Sequence, residues 1–141
     1  MKLHNTTKID NDVIRALVRF AKPADVSNFD LGIKNTPQTM AGTAYHDGCA
    51  YHATSAPLVI CRIGKPAHFP HHLRGGKGYL PFFVWNQTEG LLFLLAHELR
   101  HLWQDKHPRG YRVWGARGQF SERDADAYAI RKVREWRKET P

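Results

Sequence analysis

The stretch from Asn86 to Lys106 constrains this chain most, because it reads as one long helix that is apolar on nearly every side. Asn86-Gln-Thr-Glu89 forms a capping-box pattern at its start, and Pro108 and Gly110 end it. Leu91, Leu92, Leu94, Leu95, Leu99 and Leu102 spread around the axis, so the helix must be buried. Into it the sequence sets His97, Glu98 and His101, polar side chains that a core tolerates only with partners. Imidazoles at i and i+4 stand about 40° apart around the axis and can chelate one metal ion. The glutamate between them can reach a water on that metal. Chance alone gives such a pattern about 0.02 times in a chain of this composition. The bland alternative is a pair of core histidines satisfied by hydrogen bonds.

A catalytic zinc takes three protein ligands and leaves a fourth position for water. Ser121, three residues before Asp124, has the form of an N-cap that starts a last helix to about Lys138. On that helix Glu122 and Asp126 share a face with Ala129 and Val133, so both carboxylates point inward. Acidic groups there are costly unless they coordinate or hydrogen-bond. The spacing implies Glu122 on the metal and Asp126 on the outer ring nitrogen of one ligating histidine, fixing its tautomer. In the competing reading these carboxylates only cap the helix and solvate its face. His107 is the second candidate for the third ligand. Tyr111, Arg112 and the histidines His68, His71 and His72 are candidate donors to an oxyanion, and the sequence does not choose among them.

Elsewhere Val13, Ile14, Leu17, Val18 and Ala21 recur at helical spacing, with Arg15 and Arg19 opposite and Pro23 as a stop, predicting a helix over Asn11 to Ala21. Val26 to Ile33 and Ala41 to His46 read as short extended pieces around a turn-rich Lys34 to Gln38. Leu58 to Ile63 is a better strand, β-branched and bounded by Pro57 and Gly64. Ala67 to Gly78 reads as a loop, and Tyr79 to Trp85 as a strand that Pro81 confines to an edge or bulge. Tyr111 to Phe120 is a loop or short extended piece. This order predicts one α+β domain over residues 1–141.

Hydrophobic residues at 42% exclude a disordered chain. The longest apolar run, Leu91 to Ala96, is far short of the roughly 20 residues of a membrane span, and the polar start lacks a secretory core. A cytoplasmic protein without membrane contact is expected. Cys49 and Cys61 do not make a disulfide framework and read as reduced core residues. Lys and Arg outnumber Asp and Glu by 21 to 13, a net charge of +8 that favours acidic partners such as nucleic acid. Arg131, Lys132, Arg134, Arg137 and Lys138 concentrate this charge on the last helix, and Arg109, Arg112, Arg117 and Arg123 add to it. A solvated helix face is the plain alternative.

His97-Glu-Leu-Arg-His101 followed by Glu122-Arg-Asp-Ala-Asp126-Ala-Tyr-Ala129 resembles the gluzincin clan of zinc metallopeptidases. Among these it is similar to the small ImmA/IrrE-like proteins, over about Thr88 to Arg131, and Gly42 to Ile63 looks like the strand pair of minimal zincins such as SprT-like proteases. The resemblance implies a minimal zincin-like domain with a small mixed or antiparallel sheet, an active-site helix and a C-terminal ligand helix. It implies Zn2+ on His97, His101 and Glu122, with Glu98 as general base. It also implies a protein or peptide substrate held along an edge strand, with DNA-associated or regulatory proteins as the suggested targets. Three departures stand beside it. His107 fits metzincin spacing, but Gln104 replaces the turn glycine and no methionine follows Met40. SprT-like proteases place their later histidine before glycine, whereas Pro108 follows His107. Asp47-Gly-Cys49 faintly resembles the Glu-Gly-Cys of peptide deformylases, without the glycine-rich motif upstream. The rival from another class is a small basic nucleic-acid-binding protein whose metal site is structural, closed by a fourth ligand such as His107, with no hydrolysis.

Overall fold

The computed structural model describes residues 1–45, 56–76, 79–107 and 121–140. Its elements are β1 (Leu3–Asn5), α1 (Asn11–Ala21), β2 (Asp30–Asn35), β3 (Met40–Tyr45), β4 (Leu58–Ile63), a 3-10 turn (Pro66–His68), β5 (His71–Leu73), β6 (Phe82–Val84), α2 (Gln87–Lys106) and α3 (Glu122–Glu139). The class is α+β, as the order of segments predicts.

Four strands form a mixed sheet in the order β1-β2-β4-β3, with β1, β2 and β4 parallel and β3 antiparallel to β4. This topology leaves β3 on an edge, beside α2. Strict alternation along β4 turns Val59, Cys61 and Ile63 into the core. There α2 meets them with Leu91, Leu92, Leu95 and Leu99, each at most 1% exposed. Burying one such leucine contributes roughly 1.5–3 kcal/mol, so packing on several sides holds α2 in place. Burial, with the charge of Glu98 second, raises the pKa of the Cys61 thiol and keeps it protonated. Cys49 lies outside the described residues.

The caps act largely as the sequence predicts. Asn86 Oδ1 accepts from Glu89 N at 2.9 Å, and Ser121 Oγ accepts from Asp124 N at 3.1 Å. The Glu89 carboxylate reaches one residue beyond a capping box, accepting from Trp85 N at 3.0 Å, and also pairs with Arg137 at 2.7 Å.

Three readings need correction, and one strand stands where the sequence predicts no element. Residues at the polar start form β1, held where Leu31 N donates to the Lys2 carbonyl at 2.9 Å and Lys2 N to Asp30 Oδ1 at 3.0 Å. β2 starts at Asp30 rather than Val26 and runs through Lys34 and Asn35, which pair with Arg62 and Ile63 of β4. The expected loop Ala67 to Gly78 contains β5, paired antiparallel with β6. β6 itself begins only after Pro81, which has no N–H for a ladder. Among the described residues no helix is long and apolar enough to cross a membrane.

Candidate metal centre

One turn of α2 faces the first turn of α3. His97 Nε2 stands 3.2 Å from His101 Nε2 and 2.9 Å from Glu122 Oε2, and His101 Nε2 stands 3.2 Å from Glu122 Oε1. Behind them, His97 Nδ1 meets Asp126 Oδ1 at 2.7 Å and His101 Nδ1 meets Gln104 Oε1 at 2.8 Å. The donor atoms of His97, Glu98 and His101 all lie within 4.8 Å of one another, a group that could hold a metal ion.

Proton accounting shows what this cluster lacks. Gln104, fully buried, donates through Nε2 to the Ser121 carbonyl at 2.9 Å and to Asp124 Oδ2 at 3.0 Å. Its Oε1 is thereby fixed as the acceptor toward His101, so His101 carries its proton on Nδ1. The Asp126 carboxylate likewise holds the His97 proton on Nδ1. In neutral imidazoles both Nε2 lone pairs then face each other and the Glu122 carboxylate, three acceptors with no donor between them. A cation, an extra proton or a donor from outside the three residues satisfies this arrangement. Burial opposes charge on His97, but its hydrogen bonds to Asp126 and Glu122 outweigh burial and push its pKa up to about 10. Burial also opposes charge on Glu122, yet hydrogen bonds from His101 and His97 hold its carboxyl well below the usual carboxylate range. A tetrahedral zinc with bonds of about 2.0–2.1 Å separates its ligand atoms by about 3.3 Å. The 3.2 Å between the two Nε2 atoms, and the 2.9 and 3.2 Å from them to the two oxygens of Glu122, are separations of that size.

Glu98 stands apart from those three residues. Its Oε1 is 3.7 Å from His97 Nε2, and its Oε2 is buried with no hydrogen-bond partner among the described residues. Burial raises its pKa, His97 and His101 pull it down, and Glu122 and Asp126 raise it again. It borders two adjoining cavities of about 490 and 350 Å3 that share Gly42, Glu98 and Glu122. Gly42 on β3 comes so close that a Cβ there would lie 2.9 Å from both Glu98 Cγ and Leu94 Cδ1. Tyr79 lines the larger cavity, its ring 6.5 Å from that of His97, and burial with the nearby charge of Glu122 raises its pKa. The next residue, Leu80, donates from its backbone N to Asp126 Oδ2 at 2.8 Å. One carboxylate thus fixes both the His97 ring and the segment that carries Tyr79.

The other candidates lie elsewhere. His107 stacks on Trp103 at 4.3 Å and places Nε2 3.5 Å from Asp25 Oδ2. Because Gln104 continues α2 through Lys106, His107 leaves the axis about 120° around from His101 instead of returning to it. His68 Nδ1 bonds the Gln38 carbonyl at 3.1 Å, and His72 lies against Phe83 in the β5-β6 pair. None of His68, His71 and His72 lines the cavities at the cluster. Tyr111 and Arg112 fall outside the described residues. Sequence reasoning missed Gln104, Gly42 and Tyr79. The only available signal was Gln104 at i+3 from His101 on a buried helix. Arg100 locks the two helices together, donating to Asp124 at 2.7 and 3.3 Å.

Replacing Gln104 with Leu frees the His101 ring without touching a proposed ligand. Affinity for a divalent metal such as zinc, read by competition with a chromophoric chelator, is expected to fall 10- to 100-fold, about the size of effect outer partners of ligands exert. Unchanged affinity would mean that Gln104 does not orient the ring.

No family model, curated protein or solved structure was found to match this chain.

Proposed function

We propose that the protein is a zinc-dependent metalloendopeptidase. One observation carries this reading: His97, His101 and Glu122 bring three acceptor groups together beside an open cleft, where Glu98 Oε2 is buried with no hydrogen-bond partner among the described residues. A structural site would be closed by a fourth ligand and would have no use for such a carboxylate.

A zinc ion held by His97, His101 and Glu122 would supply Lewis-acid activation of water and of a peptide carbonyl. Glu98 takes a proton from the attacking water at its carboxylate and returns it to the leaving amine. Tyr79, half exposed at the cavity wall, offers its hydroxyl to the oxygen on which negative charge develops. Asp126 and Gln104 hold both imidazoles in the tautomer that presents Nε2. The edge strand β3 has backbone groups available to an extended peptide, and Gly42 lets that backbone approach Glu98.

The test is to incubate zinc-loaded protein with a denatured protein mixture and identify new N-termini by mass spectrometry. New termini that vanish with a chelator and return with zinc are expected. Their absence from a fully zinc-loaded sample would overturn the peptidase reading.

A further inference from the structure

The helix that turns Glu122 and Asp126 inward carries Arg123, Arg131, Arg134 and Lys138 on its exposed side. At 100° per residue these four fall within an arc of about 80°, over about 22 Å of α3. Ala127 is the remaining exposed residue of the stripe, small enough for a close approach. Nearby acids offset little of this charge. Asp124 is paired with Arg100 at 2.7 Å, and Glu135, on the flank, reaches Lys132 at 3.5 Å and Arg131 only at 4.0 Å. Glu139 lies still further around. Arg137 is not part of the stripe, because it turns back to Glu89 and the Phe83 carbonyl.

We infer that the Arg123-Arg131-Arg134-Lys138 face of α3 binds nucleic acid through its phosphate backbone, without reading sequence. Three of the four cations are arginines, whose planar fork matches two phosphate oxygens at once. Their spread along one line suits a strand of repeating charges better than a single anion. An anionic membrane fits less well, since an interfacial helix needs an exposed apolar face. The apolar side of α3 is in the core through Ala129 and Val133, and Trp136 packs on Phe20 at 5.3 Å. The inference does not depend on the peptidase reading.

The test compares the full chain with two quadruple glutamine variants of equal net charge, by fluorescence anisotropy on a labelled duplex DNA across a salt series. One set replaces Arg123, Arg131, Arg134 and Lys138, and the other replaces the exposed Lys2, Lys8, Lys34 and Lys65. Removing four phosphate contacts is expected to lower the slope of log affinity against log salt by about 3 to 4, while the second set and Glu98→Gln stay near the parent. Thermal melts establish that both sets are folded. Equal losses in the two sets would reduce the effect to net charge and overturn the inference. So would stripe-dependent binding to phosphatidylserine vesicles in preference to DNA, or no binding of the parent at 100 mM salt.

Discussion

Replacing Glu122 with Ala is expected to empty the metal centre, whereas replacing His107 with Ala leaves one zinc per chain. Glu122 offers both carboxylate oxygens to the cluster, Oε2 at 2.9 Å from His97 and Oε1 at 3.2 Å from His101. In the proposed centre its loss removes one of three ligands, so the affinity should fall by more than the roughly 100-fold limit for outer partners. The helix itself survives, because its cap is Ser121 and its tie to α2 is the pair of Arg100 with Asp124. Elemental analysis of untagged protein reads the outcome directly. A second reading comes from thermal unfolding: zinc at 1,000 times its dissociation constant stabilises the folded state by about 4.1 kcal/mol. That increment should be present in the parent and in His107→Ala, and absent in Glu122→Ala. Zinc retained without Glu122 but lost without His107 would move the centre to the far end of α2 and remove the basis for the proposed ligand set.

What the sequence makes legible here follows from how local each cause is. The three helices are readable because caps and apolar spacing lie within each segment, and Asp10, Asn86 and Ser121 all accept from amides two or three residues on. β4 is readable because it alternates and ends at Gly64. β1 and β5 are not, since three residues are too few for a period, and β1 also depends on a partner strand 28 residues on. The same division runs through the candidate site. His97 and His101 meet by helical geometry alone, and the inward face of α3 points to Glu122 and Asp126. Gln104 becomes an oriented acceptor only when the Ser121 carbonyl and Asp124 arrive from another helix to hold its amide. Gly42 and Tyr79 approach the cluster through the sheet and through the segment after β5, contacts that no local pattern announces. His107, the less favoured alternative, shows the converse: a suggestive spacing counts only if the chain turns, and Gln104 keeps it helical.

Replacing Glu98 with Gln separates a catalytic carboxylate from a structural one, because stability and turnover should then move in different directions. The substitution keeps the shape and removes the charge. Peptide hydrolysis is expected to fall about 10²- to 10⁴-fold, the range for loss of a general acid–base group, which corresponds to about 2.7–5.5 kcal/mol of barrier. Zinc content should stay at one per chain, since the proposed ligands are His97, His101 and Glu122. Glu98 is 5% exposed and its Oε2 has no partner among the described residues, so burying its charge destabilises the fold. The Gln variant should therefore be at least as stable as the parent in denaturant unfolding. A merely structural Glu98 would give the reverse, lower stability with hydrolysis reduced only by unfolding. The acid side of the rate profile carries the same signature: burial raises the Glu98 pKa, and the base works only when ionised. Parent activity is thus lost as pH falls through a value above the ordinary carboxylate range, and the residual activity of Glu98→Gln should not show that step. Parent-like rates in the variant at full zinc occupancy would remove Glu98 from the mechanism.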